Sequence, residues 1–171
     1  MEIELDLEKI ATVALDRQEE NTQFRAFLKE VDSSLLDDRI HALNREVSGK
    51  IDCTTCGNCC RAFMVSLDRE DVSRLSQHLH TPKEKFTKKY LEKSQMGEYI
   101  FSHIPCSFLK GNECSVYEGR PEDCRSYPHL QKKDTQLHLQ AIITSYGICP
   151  IVFNVLEKLK DAYGFFFQAV D

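Results

Sequence analysis

Apolar residues in the first third of the chain recur at helical spacing. Phe24, Phe27, Leu28, Val31 and Leu35 form one stripe, and Leu36, Ile40, Leu43 and Val47 form a second after a break, the period of amphipathic helices. Ser34-Leu35-Leu36-Asp37 reads as a capping box between them, and Gly49 as the C-terminal stop. Two amphipathic helices are expected within residues 1–49, and a third if residues 5–17 fold. Covering a core is the commoner use of such stripes, with a protein-partner surface as the alternative.

Phe63-Met64-Val65-Ser66-Leu67 is a short apolar run, and Asp68-Arg69-Glu70-Asp71 suits the start of a helix to about Leu79. Thr81-Pro82-Lys83-Glu84 then predicts a helix capped by Thr81 and running to about Lys93, with Phe86, Tyr90 and Leu91 inward. Tyr99-Ile100-Phe101 and residues Leu137 to Ile143 read as strands, and Lys110-Gly111-Asn112 as a turn. Pro105, Pro121 and Pro128 keep the backbone between them irregular. Cys149-Pro150 opens a last amphipathic helix carrying Ile151, Val152, Val155, Leu156 and Leu159.

The chemistry lies in sulfur. Cys53-Thr-Thr-Cys56-Gly-Asn-Cys59-Cys60 is followed by Cys106, Cys114, Cys124 and Cys149. A Cys-x2-Cys pair sets two sulfurs on one tight turn, where a single ion or cluster can bridge them. A disulfide framework is the alternative. It is disfavoured because the N-terminus MEIELDLEKI lacks the basic segment, apolar core and cleavage site of a secretory leader. The expected location is therefore the cytoplasm, where thiols stay reduced. At 171 residues the chain is also long enough to bury a core without such staples.

Charge adds a constraint. Residues 1–52 hold 13 acids and 7 bases, whereas residues 53–171 hold 14 and 15, so the cysteine-bearing part is near neutral before its thiolates are counted. Ligating cysteines are deprotonated, and nearby cations should compensate. Arg61, Arg120 and Arg125 lie close to Cys60 and Cys124 in sequence and are the candidates for that role. Lys83, Lys85, Lys88, Lys89 and Lys93 are interrupted by Glu84 and Glu92, which reads as a solvated helix face and not a nucleic-acid surface. No apolar run approaches the length of a membrane span.

Cys53-x2-Cys56-Gly57-x-Cys59-Cys60, Cys106-x-Phe108-Leu109, Cys114-x-Val116-Tyr117-x2-Arg120-Pro121-x2-Cys124-Arg125-x-Tyr127-Pro128 and Cys149-Pro150 together resemble the CxxCxxCC, or YkgJ-type, cysteine-cluster family. The resemblance spans roughly residues 51–160 and all eight cysteines, and it implies chelation of zinc or iron. A similar cluster occurs in flagellin lysine N-methylases, which raises an enzymatic alternative by analogy alone.

Eight thiols suffice for two closed four-sulfur sites, and Cys59 beside Cys60 could serve both if the backbone there is extended and neighbouring side chains diverge. Two zinc ions fit that count. Cys53-x2-Cys56-x2-Cys59 is also the opening of the bacterial ferredoxin run, and Cys149-Pro150 resembles its ending, so a [4Fe–4S] cluster fits as well. His103 and His129 are weaker candidate ligands, and Tyr117 and Tyr127 read as packing residues. Nucleotide-binding glycine motifs and His-Glu-x-x-His are absent from the sequence, and no catalytic residue is assigned.

These features predict a small α+β domain, mostly helical, with short strands and irregular cysteine-bearing loops around a metal centre. Residues 1–50 are expected to form the N-terminal helices and 51–171 the metal-binding part. The expected function is binding of zinc or iron in a structural, redox or metal-handling role. The alternatives are an iron–sulfur-dependent oxidoreductase or methyl-transferring enzyme, and a metal-stabilised interaction module.

Overall fold

The computed structural model describes residues 2–169. In chain order they form helices α1 (Leu7–Asp16), α2 (Gln18–Glu30), α3 (Ser33–Ser48) and the one-turn α4 (Cys59–Ala62), then strand β1 (Ser66–Leu67). Helices α5 (Arg69–His78) and α6 (Lys83–Tyr90) precede strands β2 (Leu91–Lys93), β3 (Tyr99–Phe101), β4 (Leu109–Lys110) and β5 (Glu113–Cys114). Helices α7 (Glu122–Ser126), α8 (Thr135–Thr144) and α9 (Pro150–Tyr163) complete the chain. The class is α+β, helix-rich with short antiparallel strands.

The chain divides into two compact units, one joining the segment up to Asp52 with the segment from Pro128 onward, the other being Cys53–Tyr127. The segment from Pro128 thus groups with the N-terminal helices. The reason lies in α9. Its first seven residues, Pro150 to Leu156, are all buried, and a helix apolar nearly all round needs cover on several sides. Within its unit α9 packs against α3 and α1, while α8 packs against α2 and α3.

The stripes predicted from sequence hold in part. Phe24, Leu28, Leu36, Ile40 and Val47 are fully buried, but Leu35 is 64% exposed. Helix α3 starts before the expected capping box, with Asp32 as N-cap accepting from the Leu35 amide, and that phase turns Leu35 outward. Residues 137–143 form part of α8 and not a strand. Thr135, Leu139 and Ile142 are its buried positions, a helical spacing of four and three that the local alternation of Leu137, Leu139 and Ala141 obscures. The helix start is also stabilised from a distance, because the Asp37 carboxylate accepts from the Asp134 amide at 2.8 Å and the Thr135 amide at 2.9 Å.

Polar groups on α9 are paired. Asn154, fully buried, accepts from the Glu4 amide and donates to the Glu4 and Pro150 carbonyls, which fixes the N-terminal segment on α9. Glu157 accepts from Tyr146 at 2.7 Å and Lys160 at 2.9 Å and pairs with Arg17, while Lys160 also reaches Glu20 at 2.7 Å. Burial alone would raise the Glu157 carboxyl, but Lys160, Tyr146 and Arg17 hold it below its ordinary value. Burial and then the Glu157 carboxylate push the Tyr146 phenol up.

Removing one partner of such a buried network leaves the others uncompensated. Glu157→Ala should destabilise the chain by about 3–5 kcal/mol, measured by denaturant unfolding. Because the folded carboxyl lies below its ordinary value of 4.5, its stabilisation is complete above that pH and is lost as the pH falls through the folded value. The difference between wild type and Glu157→Gln should therefore shrink as acid is added below that point.

Candidate metal centre

The unit Cys53–Tyr127 is built on a three-stranded sheet of order β1-β3-β2, in which Ser66 pairs with Ile100 and Leu91 with Phe101. Leu91 to Lys93 belong to this sheet, so α6 stops at Tyr90, and Pro82 holds the cap position expected of Thr81. Pairing with β3 supplies the backbone hydrogen bonds that further helix would have made. Helix α5 begins at a complete capping box between Asp68 and Asp71. Leu67, Val72, Leu75, Phe86, Leu91, Phe101, Phe108 and Val116 form the apolar core, and Cys106 and Cys114 pack against it.

None of the eight cysteines is joined in a disulfide. Cys53 is exposed on a short 3-10 turn, Cys53–Thr55, and Cys56 follows it half-buried. Cys59 and Cys60 open α4, so the backbone is helical there and not extended. Instead of diverging, their thiols hydrogen-bond each other, because adjacent helical residues differ by only about 100° in direction. Cys106 lies in the loop before β4, Cys114 ends β5, and Cys124 sits on α7; all three are half-buried. Cys149 is buried as the N-cap of α9 and belongs to the other unit.

Backbone pairing gathers several of these positions. The Cys106 amide donates to the Cys60 carbonyl at 2.8 Å, and Leu109 is the β partner of Cys114. Backbone donors at Phe108 and Leu109 act to lower the Cys106 thiol, and one at Val116 to lower that of Cys114. Such donors favour the thiolate form. Against them, burial raises the Cys106 and Cys114 thiols. The Cys124 thiol is pushed up to about 12 by burial and then by the neighbouring sulfurs of Cys60, Cys106 and Cys114. Cys60 is raised by its bond to Cys59 and by burial.

Arg61 and Arg120 bring positive charge to this cluster and lower the Cys60 thiol, and Arg120 does the same to Cys114. Arg120 is held by stacking on the Tyr117 ring, 3.3 Å from its centroid, and by donating to the Tyr117 carbonyl. Arg61 donates to the carbonyls of Cys56 and Gly111 and to Asn112 Oδ1. The resolved bonds of Arg125 go to the Arg120 and Glu118 carbonyls, which places it as a loop brace. Tyr127 packs on Phe63 at 5.6 Å. His103 bonds Ser102 at 2.8 Å, and His129 lies in the other unit.

The Phe108, Leu109 and Val116 amides were not singled out from sequence. Their signal is a shared spacing, an apolar residue two positions after a cysteine in Cys106-x-Phe108 and Cys114-x-Val116. Among the described residues no three Cys, His, Asp or Glu side chains converge closely enough to hold one ion. The donor chemistry nevertheless fits a thiophilic metal. Free thiols lie within electrostatic reach of one another, with amide donors aimed at two sulfurs and two guanidinium groups beside them.

The model of the CxxCxxCC family, described as a "Putative zinc- or iron-chelating domain", matches residues 52–143, more than half of the chain. The matched segment takes in Cys53 through Cys124 and stops short of Cys149. No curated protein and no solved structure matches the chain. No described helix is long and apolar enough to cross a membrane.

The cysteine-bearing turn depends on Gly57. Its φ is +64°, and a Cβ there would lie 2.7 Å from the Asn112 carbonyl oxygen and 3.0 Å from Leu109 Cδ1. Gly57→Ala should therefore cost more than the roughly 1 kcal/mol of a left-handed alanine alone, lowering the thermal midpoint, whereas Gly97→Ala, with open space around it, should show only the conformational part.

Proposed function

The chain belongs to the CxxCxxCC family, and from that premise we propose that it chelates zinc or iron through cysteine thiolates and that the metal orders the unit Cys53–Tyr127. One observation carries the reading: seven cysteines outside any disulfide share this unit, and six of them are half-buried. Neutral half-buried thiols can pack as small apolar groups, but so many on loops and element ends suits a donor set better than a core.

When bound, zinc or iron supplies positive charge that stabilises thiolates and links segments distant in sequence. The chain does the rest. Phe108, Leu109 and Val116 offer amide hydrogens to sulfur, and Arg120, fixed on Tyr117, offsets negative charge beside Cys60 and Cys114. The strands of this unit are two or three residues long, so its ladders contribute few hydrogen bonds and a cross-link adds correspondingly more. Thiolate serves zinc, iron and a [4Fe–4S] cluster alike.

Anaerobically purified protein should carry at least one tightly held equivalent of zinc or iron by elemental analysis. Visible absorbance that bleaches on reduction would identify an iron–sulfur cluster, and a colourless protein would point to zinc. Stripping the metal should lower the thermal midpoint of the chain. Metal-free protein that is already as stable as any metal-loaded sample would refute the proposal.

A further inference from the structure

The unit that joins the N-terminal helices to the segment from Pro128 holds a feature that chelation does not use. Helix α9 stops at Tyr163, and Gly164 takes a left-handed φ of +57°. There the chain turns back over α2. We propose that an aromatic seat on α2 is a docking site for an extended protein segment carrying an aromatic anchor, and that residues 165–168 of this chain are a strap that occupies it.

The seat is made by one face of α2. Phe24 and Phe27 stack with ring centroids 6.1 Å apart, and Tyr163 meets the Phe27 ring edge-on at 5.7 Å. Phe24 is fully buried, whereas Phe27 remains 37% exposed, so the seat opens to solvent along Phe27. Phe165 enters it, 4.8 Å from Phe24 and 5.6 Å from Phe27, separations at which tilted rings attract beyond the area they bury. Gln23, one turn before Phe27, supplies a second kind of contact. Its side-chain amide donates to the Gln168 carbonyl at 2.9 Å and accepts from the Gln168 amide at 3.4 Å. That pair reads main chain, as a neighbouring strand would, and is indifferent to the side chain it holds.

The strap fills the seat incompletely. Phe166 is 83% exposed and Phe167 41%, the alternation of an extended segment whose odd positions face α2. Its hold on α2 is one ring and one main-chain pair, while the Phe165 amide also closes the end of α9 by donating to the Lys160 carbonyl at 2.9 Å. The same contacts define the partner: an extended chain, an aromatic side chain, and three residues later a main-chain N–H and C=O left free by the partner's own fold. A tethered segment competes at high effective concentration, so the strap keeps the seat closed to weak ligands and yields to one that adds contacts.

The test uses a fluorescein-labelled, C-terminally amidated peptide with the sequence of residues 164–169, titrated with the full chain and followed by anisotropy. Wild type should bind it weakly because the strap competes. Phe165→Ser, which unseats the strap, should bind it at least about tenfold more tightly, and adding Gln23→Ala should remove most of that gain. A peptide carrying Phe165→Ala should not bind the variant chain. Equal affinity of wild type and Phe165→Ser, or equal binding of the two peptides, overturns the proposal. Gln168→Pro makes the same comparison without touching a seated ring, since proline lacks the N–H that Gln23 accepts. It decides the outcome if circular dichroism shows that Phe165→Ser does not fold: a gain in peptide affinity over wild type supports the strap, and no gain overturns it.

Discussion

Sulfur crowded against sulfur is the constraint on which the unit Cys53–Tyr127 depends. Cys60, Cys106, Cys114 and Cys124 are each half-buried and each raised above the ordinary thiol value. Protonated, they pack as small apolar groups; ionised, they repel one another and lose solvation, so they require positive charge close by. Arginine supplies part of that charge and much of the loop architecture. Arg61, Arg74, Arg120 and Arg125 all donate to main-chain carbonyls of the irregular segments. With strands this short, those forks do work that a longer ladder would otherwise perform.

The other unit solves a different problem. Helix α9 is buried on nearly all sides and still carries Asn154, Glu157 and Lys160. Each polar group is matched to a partner from more than a hundred residues away, Glu4 on Asn154, Arg17 on Glu157 and Glu20 on Lys160. The α8 segment is completed in the same manner, by Asp37 at its start, while Gln136 donates to the carbonyls of Leu28, Lys29 and Val31 where α2 ends. Side chains from one helix thus satisfy the open ends of another, which ties the N-terminal and C-terminal segments into one body.

Local chemistry made some elements legible in sequence. The Asp68 and Asp71 box, the Gly111-Asn112 turn and the Pro150 start each act over a few residues, and each element begins or turns there. What misled was what is supplied from afar. Residues 137–143 alternate like a strand because their cap and their packing partners lie elsewhere in the chain, and α6 ends at Tyr90 because β3 competes for Leu91 to Lys93. Around the cysteines, spacing points to the candidate donors as a group but not to their neighbours, and the braces at Gly57, Asn112 and Tyr117 carry no metal-ligand signature at all.

The adjacent pair Cys59 and Cys60 shows why spacing is insufficient. An extended backbone would send the two sulfurs to opposite sides, and two separate sites would follow from the sequence. The helical turn of α4 keeps them together, and the thiols bond each other. The neighbours of Cys60 are then decided by what docks on that turn. The loop carrying Cys106 does so through a main-chain hydrogen bond, and the hairpin tip through Arg61, Gly57 and Asn112. The tip leaves Cys53 in solvent and sets Cys106 and Cys114 against the core. Backbone geometry thus sets the surroundings of these thiols before any ligand is added.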